Sequence, residues 1–289
     1  RNARVYKVYT AMFVCMATKA CHIELVGDLS TASYQGALER FMARRGLCTD
    51  IYCDNGLNFV GAAEERRAMQ QFLRDTEPTM ADALSSRDVA YHFNPPDAPW
   101  MGGLWEAAIK SAKRHLQHVI TNRTLTFEEM STLLARIEAI LNSRPLCSVP
   151  SDPEGALTYL TPGHFLIGEP LLCTPQPCLL DVPVSHLSRW QLVQRATQEF
   201  WAAWKSQYLQ TLIGRQKWTQ DRDPLSVGDV VVIINQKLPP LEWPVARVEE
   251  LLPGADGVSR AARVRTAHRS YLRPVAKLAK LLAAPPSDS

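Results

Sequence analysis

The first 53 residues set out two β-type runs, one helix and a third β-type run, an order that constrains the fold more than any other feature of the chain. Val5–Met16 and Cys21–Val26 are rich in Val, Tyr, Phe, Ile and Thr, with a polar break at 17–20, which predicts two strands joined by a tight turn. Ser30 and Thr31 then precede Tyr34, Ala37, Leu38, Phe41 and Met42, apolar positions at helical spacing, and Gly46 stops that segment. The run Thr49–Cys53 is again strand-like and ends at Asp54-Asn55-Gly56. Strand, helix, strand is the α/β pattern.

A helix is expected around Ala62–Leu73, followed by a loop containing Pro78 and Ser85-Ser86, then a short strand at Val89–Phe93 broken by Asn94-Pro95-Pro96. From Leu104 to about Val119, Trp105, Ile109, Ala112 and Leu116 form an apolar helical stripe. Thr126 and Glu129 make a capping box for a second helix, which buries Leu133, Leu134, Ile137, Ile140 and Leu141 and ends at Pro145. Residues 145–186 contain no Lys or Arg and are studded with prolines, so they read as an extended connection and a candidate domain boundary. Leu187–Ile213 carries Trp190, Val193, Phe200, Trp201, Trp204, Tyr208 and Leu212 on a helical period, an aromatic face for core packing. Beyond Trp218, short strands at Val227–Asn235, Trp243–Leu252, Arg260–Thr266 and Tyr271–Val275 predict a small β-barrel, with Trp218 and Trp243 in its core.

Composition excludes several classes. With 289 residues, 46% hydrophobic and 21% charged, the chain has ordinary globular makeup for roughly two domains, which sets aside disordered, collagenous and coiled-coil proteins. The net charge of +3 does not announce a nucleic-acid binder, yet residues 255–289 hold seven Lys/Arg against two acids. The basic surplus is therefore C-terminal. Seven cysteines are an odd number, and no two have the two-residue gap of zinc sites, so free thiols in a reducing compartment are expected. The stretch Val8–Ala17 imitates a signal peptide, but Lys19, His22 and Glu24 follow it and a strand fits better. No apolar run reaches the roughly 18 residues a membrane span needs. Arg1 as first residue suggests a fragment of a longer protein.

Two carboxylates stand out by position. Asp54 ends a short strand and Glu106 begins a helix in Gly102-Gly103-Leu104-Trp105-Glu106, and strand ends and helix starts converge at the ligand crevice of an open α/β sheet. Such a pair suits Mg²⁺ (or Mn²⁺), and two ions about 4 Å apart can drive phosphoryl transfer. Glu106, Lys110, Lys113 and Gln117 project from one helical face, so cations would lie beside the acid, ready for phosphates. On spacing alone, an exposed i,i+4 pair worth about 0.2–0.5 kcal/mol and a common Asp-Asn-Gly turn explain the same residues.

Several blocks in order resemble the integrase region of Pao/BEL-type LTR retrotransposon polyproteins. They are Phe13–Ala20, His22–Val26, Arg44-Arg45-Gly46, Tyr52–Gly61, Phe93-Asn94-Pro95-Pro96 through Glu106, Leu141–Leu146, Leu160–Gly168, Val227–Val231 and Pro253–Gly257. The resemblance covers nearly the whole chain. It implies an α/β, RNase H-like integrase catalytic core (residues 1–145), an extended connection and linker helix (146–218), an SH3-like DNA-binding module (219–282) and a frayed tail (283–289). It also implies a D,D,E acid triad, in which Asp54 matches the second Asp and Glu106 the Glu, 52 residues apart. That spacing is expected to reflect an insertion at about 75–88. Lys110 and Lys113 match positions that grip DNA ends, and Arg114 beside them is a further DNA-binding candidate. Arg263, Arg265, Arg269 and Arg273 of the terminal module are the further DNA-binding candidates.

One departure bears on activity. The family's first catalytic Asp lies on a strand before the one near Val5, and no Asp precedes Asp28, itself a turn residue leading into a helix. The expected core therefore lacks its central first strand, whose neighbours lose backbone partners, and the chain by itself is expected to join DNA ends poorly. The intact protein would be a polynucleotidyl transferase carrying out 3′-end processing and strand transfer. It would act on element ends and target DNA as a homo-oligomer, in the nucleus and in a cytoplasmic particle, without a membrane. The alternatives are a catalytically dead or host-retained derivative that only binds DNA or protein, and an RNase H-like nuclease using water as nucleophile. The histidines show no zinc pairing and read as structural.

Overall fold

The computed structural model describes residues 5–53, 71–72, 74–76, 78–82, 84, 89–93, 103–121, 123–149, 157–213, 225–235, 238–254 and 259–283, the side chains of Cys53, Phe93 and 103–110 excepted. The chain divides into two compact units, Arg1–Val14, His22–Ala107 and Thr124–Leu134 forming one, and Cys15–Cys21, Ala108–Arg123 and Ala135–Ser289 the other.

In the first unit, β1 (Tyr9–Val14) and β2 (Cys21–Val26) form a two-stranded sheet. β1 starts later than the Val5 expected for it, since Val5 and Tyr6 stand exposed. β2 is buried at every position, so two polar side chains are internal and must be satisfied there. Glu24 meets that need by accepting from Arg40 Nε at 2.6 Å, Arg44 at 2.6 Å and His22 Nε2 at 3.0 Å. His22 is thus structural, as expected. Asp28 accepts from the Ser30 N–H and hydroxyl, and Ser30 in turn accepts from the Ser33 N–H to cap α1 (Thr31–Arg45). Gly46 closes the helix at φ +89°, a backbone state glycine adopts without strain.

α1 buries Leu38 and Met42 against Ile51, Met80, Leu84 and Val89. Met80 and Leu84 correct the sequence reading. Residues 78–82 are helical, Pro78 included, where a loop was expected. Burial of two apolar side chains four residues apart outweighs a polar, proline-bearing local sequence. β3 (Asp50–Cys53) and β4 (Ala90–Phe93) pair in parallel, with Ile51 opposite Tyr91 and Tyr52 opposite His92. Among the described residues no ladder joins β1–β2 to β3–β4. The Thr126/Glu129 capping box forms as read: the Thr126 N–H donates to the Glu129 carboxylate at 2.8 Å and the Glu129 N–H to Thr126 Oγ1 at 3.2 Å.

The second unit gathers the rest. α2 (Gly103–Thr121) enters it at Ala108, and α3 (Phe127–Asn142) at Ala135. Asn142 exchanges two 2.8 Å hydrogen bonds with the backbone of Cys21, while buried Arg144 donates to the carbonyls of Lys19 and Leu141. Beyond it, β5 (Cys147–Ser148) and β6 (Tyr159–Leu160) make a minimal antiparallel pair and α4 (His164–Ile167) a single turn. The proline-rich stretch otherwise has little regular structure where described, as expected. His164 Nδ1 accepts from the Thr161 N–H, a structural role.

α5 (Arg189–Leu212) starts with a capping box of Ser188 and Gln191 and buries Val193, Phe200, Trp201, Trp204 and Tyr208. Trp190 departs from the expected face. It is 55% exposed and lies 5.8 Å from the Arg136 guanidinium, one turn short of the buried stripe. Trp243, expected in the barrel core, stands edge-on to Trp201 at 5.0 Å and to Tyr208 at 5.7 Å and donates to Ser143 Oγ. It therefore plugs the sheet's approach onto α5 instead of filling the sheet's own core.

That core consists of Val231, Ile233, Ala246, Val248, Ala262, Val264 and Leu278. It belongs to a five-stranded antiparallel sheet of β7 (Val230–Ile233), β8 (Val245–Pro253), β9 (Ser259–Arg265), β10 (Ser270–Pro274) and β11 (Leu278–Lys280), ordered β10-β9-β8-β7-β11. Four strands were legible beforehand. The three-residue β11 was not, and among the described residues no ladder closes β10 onto β11. Ala283, where fraying was expected to begin, pairs with Ser148, whose N–H donates to the Leu282 carbonyl.

Candidate nucleic-acid interface

The two candidate acids fall at the limits of what is described. Asp54 lies outside the described residues, directly after the last residue of β3. Glu106 and Lys110 are on α2, in its first two turns, with side chains outside the described set. Trp218, Trp105 and Ile109 are likewise outside it. Ala112, Leu116 and Val119 are buried, so the apolar stripe of α2 holds over its described half. Lys113 is half-buried on the same helix.

Next to the expected site, the β3–β4 ladder has two unlike faces. Ile51 and Tyr91 turn to the apolar cluster, whereas Asp50, Tyr52 and His92 are exposed on the other side. His92 Nε2 is 2.8 Å from Asp50 Oδ1, and its ring stacks on Tyr52 with centroids 4.5 Å apart. The hydrogen bond from His92 holds the Asp50 carboxyl below its ordinary range, with help from Thr49. Composition gave no sign of this pair, since 42 residues separate its members.

Arg114, expected to face DNA, is exposed but engaged. Its guanidinium donates to Gln207 Oε1 at 2.7 Å, the same oxygen that Ser111 Oγ reaches at 2.6 Å and His115 Nε2 at 2.8 Å. None of Ser111, His115 and Gln207 was singled out from sequence. The i, i+3, i+4 spacing of Ser111, Arg114 and His115 on α2 was visible, but their acceptor Gln207 lies over 90 residues away on α5.

The four C-terminal arginines separate into two pairs. Arg263 on β9 bridges Glu250 at 3.1 Å, and Arg265 bridges Glu249 at 3.4 Å, so their charges are matched by carboxylates on β8. Arg269 and Arg273 instead bracket Tyr271, with guanidinium carbons 4.7 and 4.9 Å from the ring centroid. Arg269 Nε also donates to the Tyr271 hydroxyl at 2.6 Å. A planar aromatic between two guanidiniums on an edge strand can contact both the phosphates and the apolar faces of a nucleic acid. Among the described residues no group of three or more His, Cys, Asp or Glu could hold a metal ion. No described helix is long and apolar enough to cross a membrane.

Comparison with known proteins gives three findings. No curated protein matches the chain. A solved structure that is similar is the simian T-cell lymphotropic virus intasome in complex with the PP2A regulatory subunit B56 gamma, at 14% identity, covering 97% of this chain and 75% of that one, with a TM-score of 0.32. Residues 188–281, which hold α5 and the five-stranded sheet, match a family of unknown function, DUF5641.

Proposed function

We propose that the chain is the core and C-terminal part of an integrase of the Pao/BEL retrotransposon kind, which in its intact form processes DNA 3′ ends and joins them to target DNA. The observation that carries this reading is the parallel pairing of β3 and β4. Parallel pairing puts the C-terminal ends of both strands on the same side of the pair; in the sequence Asp54 follows β3 directly, and α2, whose first turn carries Glu106, is the next described element after β4. That side is where α/β sheets take their ligands.

In this reading Asp54 and Glu106 would hold Mg²⁺ or Mn²⁺, which as hard cations take carboxylate oxygens. Bound there, the ions would activate the attacking hydroxyl and stabilise the leaving oxygen. Lys110, Lys113 and Arg114 would hold phosphates from α2, and Arg273 on β10 and Arg269 just before it would do so from the sheet. Assembly as a homo-oligomer and work on nuclear DNA delivered from a cytoplasmic particle go with the reading.

The test is Mn²⁺ binding followed by electron paramagnetic resonance, with duplex affinity and end joining measured alongside. Asp54→Asn and Glu106→Gln are each expected to remove the bound Mn²⁺ while duplex affinity stays largely unchanged. Mn²⁺ binding that survives both substitutions would sink the reading. A second reading, a derivative that only binds DNA, draws on Arg269 and Arg273, whose guanidiniums lie against an aromatic ring and not against a carboxylate. It predicts duplex binding with neither Mn²⁺ binding nor joining.

A further inference from the structure

We infer that Ser111, Arg114 and His115 form a phosphate-binding subsite on α2, held shut by the side-chain carbonyl of Gln207 from α5. The nature of the phosphate, a DNA phosphodiester, rests on the reading above, but the subsite itself does not. Three side chains of one helix face donate to a single oxygen at 2.6, 2.7 and 2.8 Å. Arg114 has only donors, so the atom it meets is the amide oxygen and not the amide nitrogen.

That oxygen is a poor terminus for the group it serves. An amide carbonyl has two lone-pair directions, and three donors crowd them. It is also neutral, whereas an anionic oxygen adds charge attraction and, as a phosphate, bidentate geometry to the guanidinium's bonds. A phosphate supplies several acceptor oxygens and the negative charge that Gln207 lacks. It would therefore satisfy hydroxyl, guanidinium and imidazole together.

Burial decides which groups stay and which move. Ser111 is 6% exposed, so its hydroxyl is fixed in place and needs an acceptor. Arg114 is exposed and Gln207 half-buried, which gives a ligand a route in and the glutamine a route out. Gln207 follows Trp204 on α5 and precedes Tyr208, both buried, so the helix is anchored and only the glutamine side chain has to swing. The arrangement is a competition in which one neutral acceptor stands where an anionic one binds.

The experiment titrates inorganic phosphate into the full chain while the His115 ring nitrogens are followed by NMR. Gln207→Leu is expected to tighten phosphate binding several-fold, because the competing acceptor is gone. Gln207→Glu is expected to weaken it, because a carboxylate now neutralises Arg114. Arg114→Ala on the Gln207→Leu background is expected to abolish the His115 response. Thermal melts confirm that each variant is folded. Equal phosphate affinity in Gln207→Leu, Gln207→Glu and the parent chain overturns the proposal, as does a His115 response that persists without Arg114. A parallel duplex titration separates the two readings. Phosphate binding without duplex binding leaves the subsite standing and removes the nucleic-acid reading, whereas duplex binding indifferent to position 207 does the reverse.

Discussion

Lys205 is 3% exposed on α5, donating to the Asn235 carbonyl at 2.9 Å with its ammonium 4.7 Å from the Trp201 ring. Burial drives its pKa down to about 8 from 10.5, with Glu242 pulling the other way. Between those values the unfolded chain binds a proton that the native chain has released, so this residue makes stability rise with pH, by up to about 3 kcal/mol. Tyr208 acts with the opposite sign. Burial pushes its hydroxyl up to about 12 from 10, so above pH 10 the unfolded chain loses a proton the native chain keeps and stability falls. Urea titrations from pH 7 to 11 should show Lys205→Met losing the rising arm and Tyr208→Phe losing the falling one. Burial of Tyr208 was legible in the helical period, whereas in the sequence Lys205 looks like any surface lysine. Burial of a charge follows from what packs over it, here Trp201 and a carbonyl 30 residues on.

Helix caps lie at the element scale, and they were the most legible features because their partners are three residues apart. Thr126 with Glu129 was read as a capping box and forms, and Ser30, read at the start of α1, caps it through the Ser33 N–H. Thr126→Ala should lower stability by about 1 kcal/mol, measured by urea denaturation, with Thr126→Ser restoring most of it. The helical segment at 78–82 was missed because its sequence is polar and only the distant partners of Met80 and Leu84 make it worth burying. Trp243 was misassigned for a related reason: alternation shows that a residue is buried, not which neighbour buries it. The C-terminal arginines yield a prediction about paired strands. If the sheet binds duplex DNA, Arg269→Ala with Arg273→Ala should flatten the dependence of log K on log salt by about 0.9 for each phosphate that is no longer neutralised. Arg263→Ala with Arg265→Ala should change that slope much less, since Glu250 and Glu249 already neutralise those charges.

For the whole molecule, the α/β order at the start and the strand-rich end were visible in the sequence, whereas the arrangement of the sheets was not. Strand periodicity identifies a ladder without naming its partner. The candidate acids were chosen by position along the chain, and the features added by the structure, Gln207 with its three donors and Tyr271 with its two arginines, depend on pairings across helices and strands. Segment 188–281 is the part matched by a known family, but it does not hold all of its own partners. Trp243 donates to Ser143 and Tyr208 to the Pro145 carbonyl, and one residue past the segment's end the Leu282 carbonyl accepts from the Ser148 N–H. A peptide cut at the limits of that match would forfeit all three ties, and its melting temperature should fall well below that of a piece spanning 143–283. Anyone preparing this region for crystals or screening should therefore place the upstream cloning junction before Ser143 and the downstream one beyond Ala283.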